Sequence, residues 1–413
     1  MGSSRVYCDH AATTDVLDAV VDAVAEQMRI GGNPSSLHSA GRRARATVEH
    51  AREQVARAAG CDAAEVIFTS GGTEADNLAV KGLYWQRRQT HPQARRILIS
   101  AIEHHAVSEA AEFLEQYEEA ELEWIPVDAE GLVNPQTVRE LIEKDSEGVA
   151  LVTVMWANNE VGAVQPIAEI AAITREFDIP LHTDAVQAFC AVPVNFRESG
   201  ASTMAISAHK IGGPMGVGAL IATRTAAMTP VLHGGGQERS VRSGTIDAPA
   251  IVGFGVAAQW GAEHLAEESR RIGLLRNRLV RAIEQSIPRA RLRGPQPEED
   301  AELMATGPQR RLPGNAHFTF EGCEGDSLLF LLDMAGIESS TGSACNAGVP
   351  RPSHVLLAMG IDEATARGAQ RFTLGHSSDD SDIERIIAAL PAAFEQAHRA
   401  GLAAHTPDAA VWH

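Results

Sequence analysis

The residues of this chain best suited to chemistry lie between Leu181 and Lys210. Lys210 directly follows His209 at the end of an apolar strand, and Asp184 ends the strand before it. Burial disfavours the charged ammonium form, so a lysine placed here is usually kept for its reactive amine. An acid at the neighbouring strand end suits a heterocyclic nitrogen that must stay protonated. The pair therefore predicts a Schiff-base lysine with a pyridinium partner.

A phosphate-binding turn would complete such a site, and the stretch from Glu65 to Asn77 is a candidate. It passes from a strand through Gly71 and Gly72 into a helix, so backbone amides converge at the helix N-terminus, where phosphate binds well. Glycines also serve sharp turns, so a plain tight turn remains an alternative. With Lys210 and Asp184, the turn indicates pyridoxal 5'-phosphate as the cofactor.

Other polar clusters also follow apolar strands. His104 and His105 follow the strand that begins at Arg95, and no nearby Cys/His set completes a metal shell, so a stacking or acid–base role is favoured. Asn158 and Asn159 follow a predicted strand over 151–156. Strands alternating with helices, each followed by a polar cluster, predict an α/β domain with a mainly parallel sheet and its site at the carboxyl ends of the strands.

Two residues in the C-terminal third could act on a substrate. Cys345 stands among Ser, Gly and Ala, which predicts an exposed, mobile loop where a thiolate could react. A stray surface thiol is the alternative. Arg371 starts an otherwise uncharged strand and offers a two-pronged cation for a carboxylate, although a structural salt bridge would use the same group.

Composition limits the function classes. The chain has 413 residues and a formal net charge of −19, which argues against nucleic-acid and anionic-membrane binding. No apolar window has the length of a membrane span and no signal peptide is evident, so a cytoplasmic location is expected. The five cysteines are irregularly spaced without a CxxC pair, which disfavours a disulfide scaffold or a zinc ribbon.

The pattern also predicts two domains. Apolar residues at helical spacing from about Glu263 to Ile287 predict a long amphipathic helix, and the strand-end glycine clusters become rarer beyond it. We expect a large cofactor-binding domain over 15–262. A smaller α/β domain is expected to comprise 1–14 and 263–413 and to carry the Cys345 loop.

Together these motifs closely resemble the pyridoxal-phosphate-dependent cysteine desulfurases, in the class V aminotransferase group. The resemblance extends from Asp9 to Gly375 and implies the aspartate-aminotransferase-like fold, PLP fold type I. It makes Lys210 the Schiff-base lysine, Asp184 the acid facing the pyridine nitrogen, and Gln187 the amide reaching the ring hydroxyl.

The resemblance assigns the remaining roles by motif. It places His104 on the cofactor ring as a stacking and proton-transferring group, and Cys345 in the longer-loop branch as the persulfide-forming cysteine. Ala208 and Asn346 depart from the residues usual in the family, but neither removes a reacting group. Cofactor contacts are implied for Gly72, Thr73, Asn159, Ser207, His209 and, from the other subunit of a homodimer, Thr245; substrate contacts are implied for Asn33, Asn159 and Arg371.

The implied reaction converts L-cysteine to L-alanine. The sulfur is carried as a persulfide on Cys345 and passed to an acceptor such as an iron–sulfur scaffold or a sulfur carrier. A selenocysteine lyase or cysteine sulfinate desulfinase of the same fold is the alternative. A non-catalytic sulfur-assembly or metal-binding protein is a hypothesis of another class, disfavoured because the cysteines lack ligand spacing.

Overall fold

The computed structural model describes residues 5–300, 307, 309–342 and 352–404. The strands are Val6–Tyr7 (β1), Val66–Thr69 (β2), Arg96–Ser100 (β3), Glu121–Ile125 (β4), Val149–Thr153 (β5), Leu181–Asp184 (β6), Thr203–Ser207 (β7), Gly218–Ala222 (β8), Ala290–Leu292 (β9), Asn315–Phe320 (β10), Ile337–Glu338 (β11) and Ala369–Thr373 (β12). The helices are Asp18–Ile30 (α1), Ser39–Ala59 (α2), Gly72–Thr90 (α3), His105–Tyr117 (α4), Pro135–Glu143 (α5), Ile167–Glu176 (α6), Phe196–Ser199 (α7), Ala248–Ser286 (α8), Gly325–Met334 (α9), His354–Ala358 (α10), Glu363–Arg367 (α11) and Asp380–Ala404 (α12).

A seven-stranded sheet forms the centre of the larger part of the molecule, in the order β2-β8-β7-β6-β5-β3-β4. β8 runs in the opposite direction to the other six strands of this sheet. Strands β5 to β8 are buried at every residue, because helices cover both faces of the sheet. The predicted α/β fold with a large, mainly parallel sheet is confirmed.

A smaller antiparallel sheet, in the order β12-β10-β9, lies in the C-terminal part of the chain. The N-terminal strand β1 pairs in parallel with β11. The chain after β1 reaches β12, where Asp9 forms a parallel bridge with Thr373. The segment from Val6 to Asp9 therefore packs against the last third of the chain.

Two large apolar clusters form the cores of these parts. One surrounds the seven-stranded sheet, and the other joins β1 to the small sheet and α12. Helix α8, 39 residues long, contributes to both: Phe254 packs in the first cluster and Leu279 in the second. The division of the chain at 262/263 stays a prediction.

Helix α8 begins 15 residues earlier than the predicted start at Glu263. The Asp247 side chain caps it by accepting a hydrogen bond from the Ala250 amide at 3.1 Å. Gly255 obscures the helical pattern in this half, yet a Cβ there would lie 2.8 Å from the Cα of Ala51 on α2. The first part of α8 thus packs closely against α2 through a small residue, whereas the predicted start of the helix depended on the spacing of large apolar residues.

The predicted strand over 151–156 is β5, which runs from Val149 to Thr153, and the edge strand β4 was not predicted. In the described parts of the chain, no helix combines the length and apolar character needed to cross a membrane.

Candidate active site

A cavity of about 370 Å³ opens at the carboxyl ends of the parallel strands, where the sequence places the site. It lies between the large sheet and β12. Its wall includes most of the predicted residues: Gly72, Thr73, His104, Asn159, Asp184, Gln187, Ser207, His209, Lys210 and Arg371.

Lys210 follows β7 in a short 3₁₀ turn, which directs its side chain into the cavity. Its Nζ donates to two backbone carbonyls of the N-terminal arm, Ala11 O at 2.5 Å and Ala12 O at 2.7 Å. Burial and then the Arg371 guanidinium lower the pKa of Lys210 to about 8. The uncharged amine that nucleophilic attack on a carbonyl carbon requires is therefore far more abundant near neutral pH than in an ordinary lysine.

Asp184 ends β6 on the floor of the cavity and is 5% exposed. Its Oδ1 accepts a hydrogen bond from the Val186 amide at 2.8 Å. Burial and the neighbouring Asp76 raise its pKa to about 7, while His104 opposes the shift. A cation placed beside Asp184 would lower this pKa, so the carboxyl is suited to a protonated ring nitrogen.

His104 caps the N-terminus of α4 at the mouth of the cavity. Its Nδ1 accepts a hydrogen bond from the Ala106 amide at 3.1 Å, which leaves Nε2 for a ligand. The protein packed around the ring lowers its pKa, so the neutral imidazole is favoured. The side chain of Gln187 also faces the cavity, and its Nε2 donates to Ala11 O at 2.9 Å.

The N-terminus of α3 forms an anion site in the same cavity. Gly71 precedes the helix at φ 151°, and no side chain caps the first amides. A Cβ on Gly72 would lie 2.7 Å from Val186 Cγ2, so the close approach of the backbone requires glycine. Thr73, Ser207 and His209 line the same end of the helix. Free amides, hydroxyls and the helix dipole together fit a phosphate.

Arg371 lies on β12 and faces the cavity from the opposite side. One of its terminal nitrogens donates to Asn159 O and the other to Asp9 Oδ1, both at 2.8 Å. The guanidinium is buried, and its Nε has no hydrogen-bond partner in the described structure. The predicted carboxylate-binding arginine is therefore held in a fixed orientation beside Lys210.

Two predicted residues of the described chain, Asn33 and Thr245, are not brought to this cavity. Asn33 is exposed between α1 and α2, where its Oδ1 accepts a hydrogen bond from the Ser35 amide at 2.9 Å. Thr245 is exposed before α8, and neither residue lines the cavity. Cys345 lies outside the described residues, between Gly342, which reaches the cavity wall, and Pro352.

Three buried residues next to the site, to which we assigned no role from the sequence, are Asp76, Glu103 and His182. Asp76 lies one turn into α3, where it is buried and lines the cavity. A charged residue on the buried side of a helix was the signal that could have revealed it. Within the described ranges, no cluster of three or more His, Cys, Asp or Glu residues is placed to hold a metal ion.

A lysine and an acid at adjacent strand ends, above a helix N-terminus, define a pyridoxal-phosphate enzyme of the aspartate-aminotransferase-like fold, fold type I. The cavity fits that cofactor, since Asp184 meets the ring end and α3 the phosphate end. More particularly, the chain belongs to the class-V aminotransferase family, whose profile matches residues 6–386.

Individual relatives agree with this assignment. The chain is 50% identical over 398 residues to the IscS-like cysteine desulfurase of Mycobacterium tuberculosis, covering 96% of this chain and 98% of that protein. It is 40% identical over 393 residues to the cysteine desulfurase IscS of Dictyoglomus turgidum, covering 95% of each. The crystal structure of a NifS-like protein from Rickettsia africae has a TM-score of 0.82 and 33% identity, covering 95% of this chain and 99% of that one.

Proposed function

We propose that this chain is a cysteine desulfurase that removes sulfur from L-cysteine, releases L-alanine, and carries the sulfur as a persulfide on Cys345. The observation that carries the proposal is the meeting of Lys210, Asp184 and the α3 N-terminus in one cavity, with Arg371 opposite. Relatives named cysteine desulfurases, similar over nearly the full chain, support the same reaction.

Bound pyridoxal phosphate supplies an electron sink for bonds at the amino-acid Cα. Asp184 holds a proton at the ring nitrogen, and the uncharged Lys210 amine takes the proton from Cα. Arg371 binds the substrate carboxylate beside Lys210, aligned by its bonds to Asp9 and Asn159. His104 holds or moves a proton on the side of the cavity that the substrate sulfur faces.

The sulfur transfer needs a second nucleophile, for which we propose Cys345. Its thiolate attacks the substrate sulfur, so an S–S bond forms while the C–S bond breaks, and the bonding electron pair stays on carbon. Protonation of that carbon and release from the enzyme give alanine. An acceptor thiolate then takes the outer sulfur atom and regenerates Cys345.

Two variants and one control test this assignment. Lys210→Ala should abolish alanine formation, whereas Cys345→Ala should keep the yellow colour of the bound cofactor but form no enzyme persulfide, as measured by mass spectrometry. Cys61→Ala is the matched control, since Cys61 is also a free thiol. Persulfide formation by Cys345→Ala would refute the role of Cys345.

A selenocysteine lyase or cysteine sulfinate desulfinase would use the same cavity with a different leaving group. Such an enzyme would not need Cys345 for its preferred substrate. Competition among cysteine, selenocysteine and cysteine sulfinate, with the wild type and Cys345→Ala, distinguishes these activities. Faster turnover of either alternative substrate, retained without Cys345, would replace the proposal.

We further propose a homodimer in which Thr245 completes the phosphate site of the other subunit. Thr245 is exposed and away from the cavity of its own chain. Exposed apolar side chains near α1 support a subunit contact, among them Val21 (53% exposed), Met28 (69%) and Leu37 (83%). Light scattering tests the dimer, and weaker cofactor binding by Thr245→Ala tests the contribution. A monomer that binds the cofactor normally would contradict both.

The sulfur acceptor in this proposal is an iron–sulfur scaffold or sulfur-carrier protein, and the compartment is the cytoplasm. Four cysteines of the described chain are unpaired: Cys8, Cys61, Cys190 and Cys323. Free thiols suit a reducing compartment, and so does persulfide chemistry. Cell fractionation tests the location, and transfer of labelled sulfur from Cys345 to purified candidate acceptors tests the partner.

A further inference from the structure

Three carboxyl groups are buried in or next to the wall of the proposed cofactor cavity, although the reaction requires only one. Asp76 and Glu103 are each 1% exposed, and Asp184 is 5% exposed. They come from three elements: α3, the turn after β3, and the end of β6. The charges of Asp184 and Asp76 raise the pKa of Glu103, and that of Asp76 also raises the pKa of Asp184, so burial together with repulsion disfavours ionisation of all three.

Asp184 is the best placed of the three to be the anion. Its Oδ1 accepts the Val186 amide, and both His104 and Lys210 lie along the same cavity wall. The ring nitrogen of the cofactor would add a positive charge on that side. Hydrogen-bond donors and cations favour the charged form of a carboxyl group.

Asp76 faces a neutral partner instead. Its Oδ1 lies 3.2 Å from His182 Nε2, and His182 Nδ1 lies 2.9 Å from Thr203 Oγ1. Complete burial lowers the pKa of His182 to about 4, so the imidazole is uncharged. A neutral imidazole has one donor and one acceptor nitrogen. Nε2 can therefore accept a hydrogen bond from a protonated Asp76 carboxyl group, while Nδ1 donates a hydrogen bond to Thr203 Oγ1. Burial also raises the pKa of Asp76 well above its usual range.

Glu103 is in a comparable position. Its Oε1 accepts a hydrogen bond from the Met155 amide at 2.6 Å, and its buried Oε2 has no partner in the described structure. A buried carboxylate with an unpaired oxygen is costly, whereas a neutral acid avoids most of that cost. Burial and the nearby Asp184 raise the pKa of Glu103 well above its usual range.

We propose that Asp76 and Glu103 are positioning residues, held as neutral acids so that Asp184 is the single carboxylate under the ring. His182 fixes the proton-bearing oxygen of Asp76, and the Met155 amide fixes Glu103. In this proposal each acid acts through Asp184 and takes no direct part in the reaction. The inference rests on the proposed cofactor site.

Infrared difference spectroscopy of the cofactor-loaded protein at about pH 8 tests the charge assignment, because neutral and ionised carboxyl groups absorb in separate regions. Asp76→Asn and Glu103→Gln should each remove absorption of a neutral acid. Asp184→Asn, the matched control, should remove carboxylate absorption. The assignment is overturned if either of the first two variants loses carboxylate absorption, or if Asp184→Asn loses neutral-acid absorption.

Two further measurements test the proposal, and the first of them needs no variant. The wild type itself must show neutral-acid absorption at about pH 8, and its absence would overturn the proposal without any variant. Where the variants fold, Asp76→Asn and Glu103→Gln should leave the pH titration of the visible cofactor band unchanged, since an uncharged group replaces an uncharged group. A shifted titration would show that an anion had been removed. None of these readouts depends on turnover, so a failed desulfurase assay is distinguishable from a failed charge assignment.

Discussion

The two sides of the cavity are built differently. One side, which we call the edge wall, consists of His104, Asp184 and Lys210 at the carboxyl edge of the large sheet. The other, the arm wall, consists of Ala11 and Ala12 of the N-terminal arm and Arg371 on β12. The edge wall has ionisable groups with shifted pKa values, of which Asp184 is buried, whereas the arm wall offers backbone carbonyls and one ion pair.

The difference in construction implies a difference in task. The edge-wall groups end or follow strands of the large sheet, so the sheet sets their positions, and the protein and charges around them shift their pKa values. The arm wall is fastened by a few contacts distant in sequence, such as Ala11 N to Thr373 Oγ1 at 2.9 Å. We expect the edge wall to govern the chemical step, seen in kcat, and the arm wall to govern substrate binding, seen in KM.

The largest effect should follow the loss of Lys210. Lys210→Ala removes the amine that accepts the Cα proton, so kcat should fall by about 10³-fold or more. Steady-state alanine formation measures it. Cofactor binding should persist more weakly through Asp184 and the α3 N-terminus, and a variant with near-normal kcat would remove Lys210 from the edge wall's chemistry.

Asp184→Asn should have the next largest effect. The asparagine side chain carries no negative charge, so it cannot stabilise a proton on the ring nitrogen as Asp184 would. We expect kcat to fall by about 10²–10³-fold, the range typical of a lost electrostatic contact. Comparison of kcat and KM for L-cysteine provides the measurement. A variant that changed only KM would break the proposed division between the two walls.

Arg371→Lys should act mainly on KM. A lysine keeps the charge but loses the two-pronged geometry, and about 1–3 kcal/mol of binding to the substrate carboxylate would be lost, or roughly 5- to 150-fold in KM. Asp9→Asn keeps Arg371 but removes its ion pair, so it is the milder companion variant. An unchanged KM in both would show that the arm wall does not hold the substrate.

The smallest effect concerns pH. The fraction of uncharged Lys210 grows as pH rises through about 8, so capture of pyridoxal phosphate by the cofactor-free protein should become faster up to that pH and then level off. Arg371→Gln removes a cation that lowers this pKa, so the rise should move to higher pH. Stopped-flow absorbance measures the profile, and an unmoved profile would mean that the two walls are electrostatically independent.

The edge wall was largely predictable from the sequence. Its groups follow apolar strands directly, and Gly71 with Gly72 marks the helix N-terminus, so local pattern and the geometry of parallel sheets sufficed to place them together. The antiparallel direction of β8 was not predictable, because a five-residue apolar strand reads the same in either direction.

The contacts of the arm wall gave no comparable signal. Lys210 bonds to Ala11 through a backbone carbonyl, which leaves no mark on the sequence of either partner. The pairing of Asp76 with His182 was missed for a related reason: only the packing of α3 against β6 brings the two side chains together. Tertiary contacts between distant segments therefore account for most of what the sequence did not reveal.

Helix α8 has a practical consequence for anyone who would dissect this protein. At 1.5 Å per residue, its 39 residues extend roughly 58 Å, and both large apolar clusters use it. A cut at 262/263 would fall within α8 and leave each fragment with only part of this helix. Fragments for separate expression should instead keep Ala248–Ser286 whole, and we expect the piece that lacks it to expose apolar surface and aggregate.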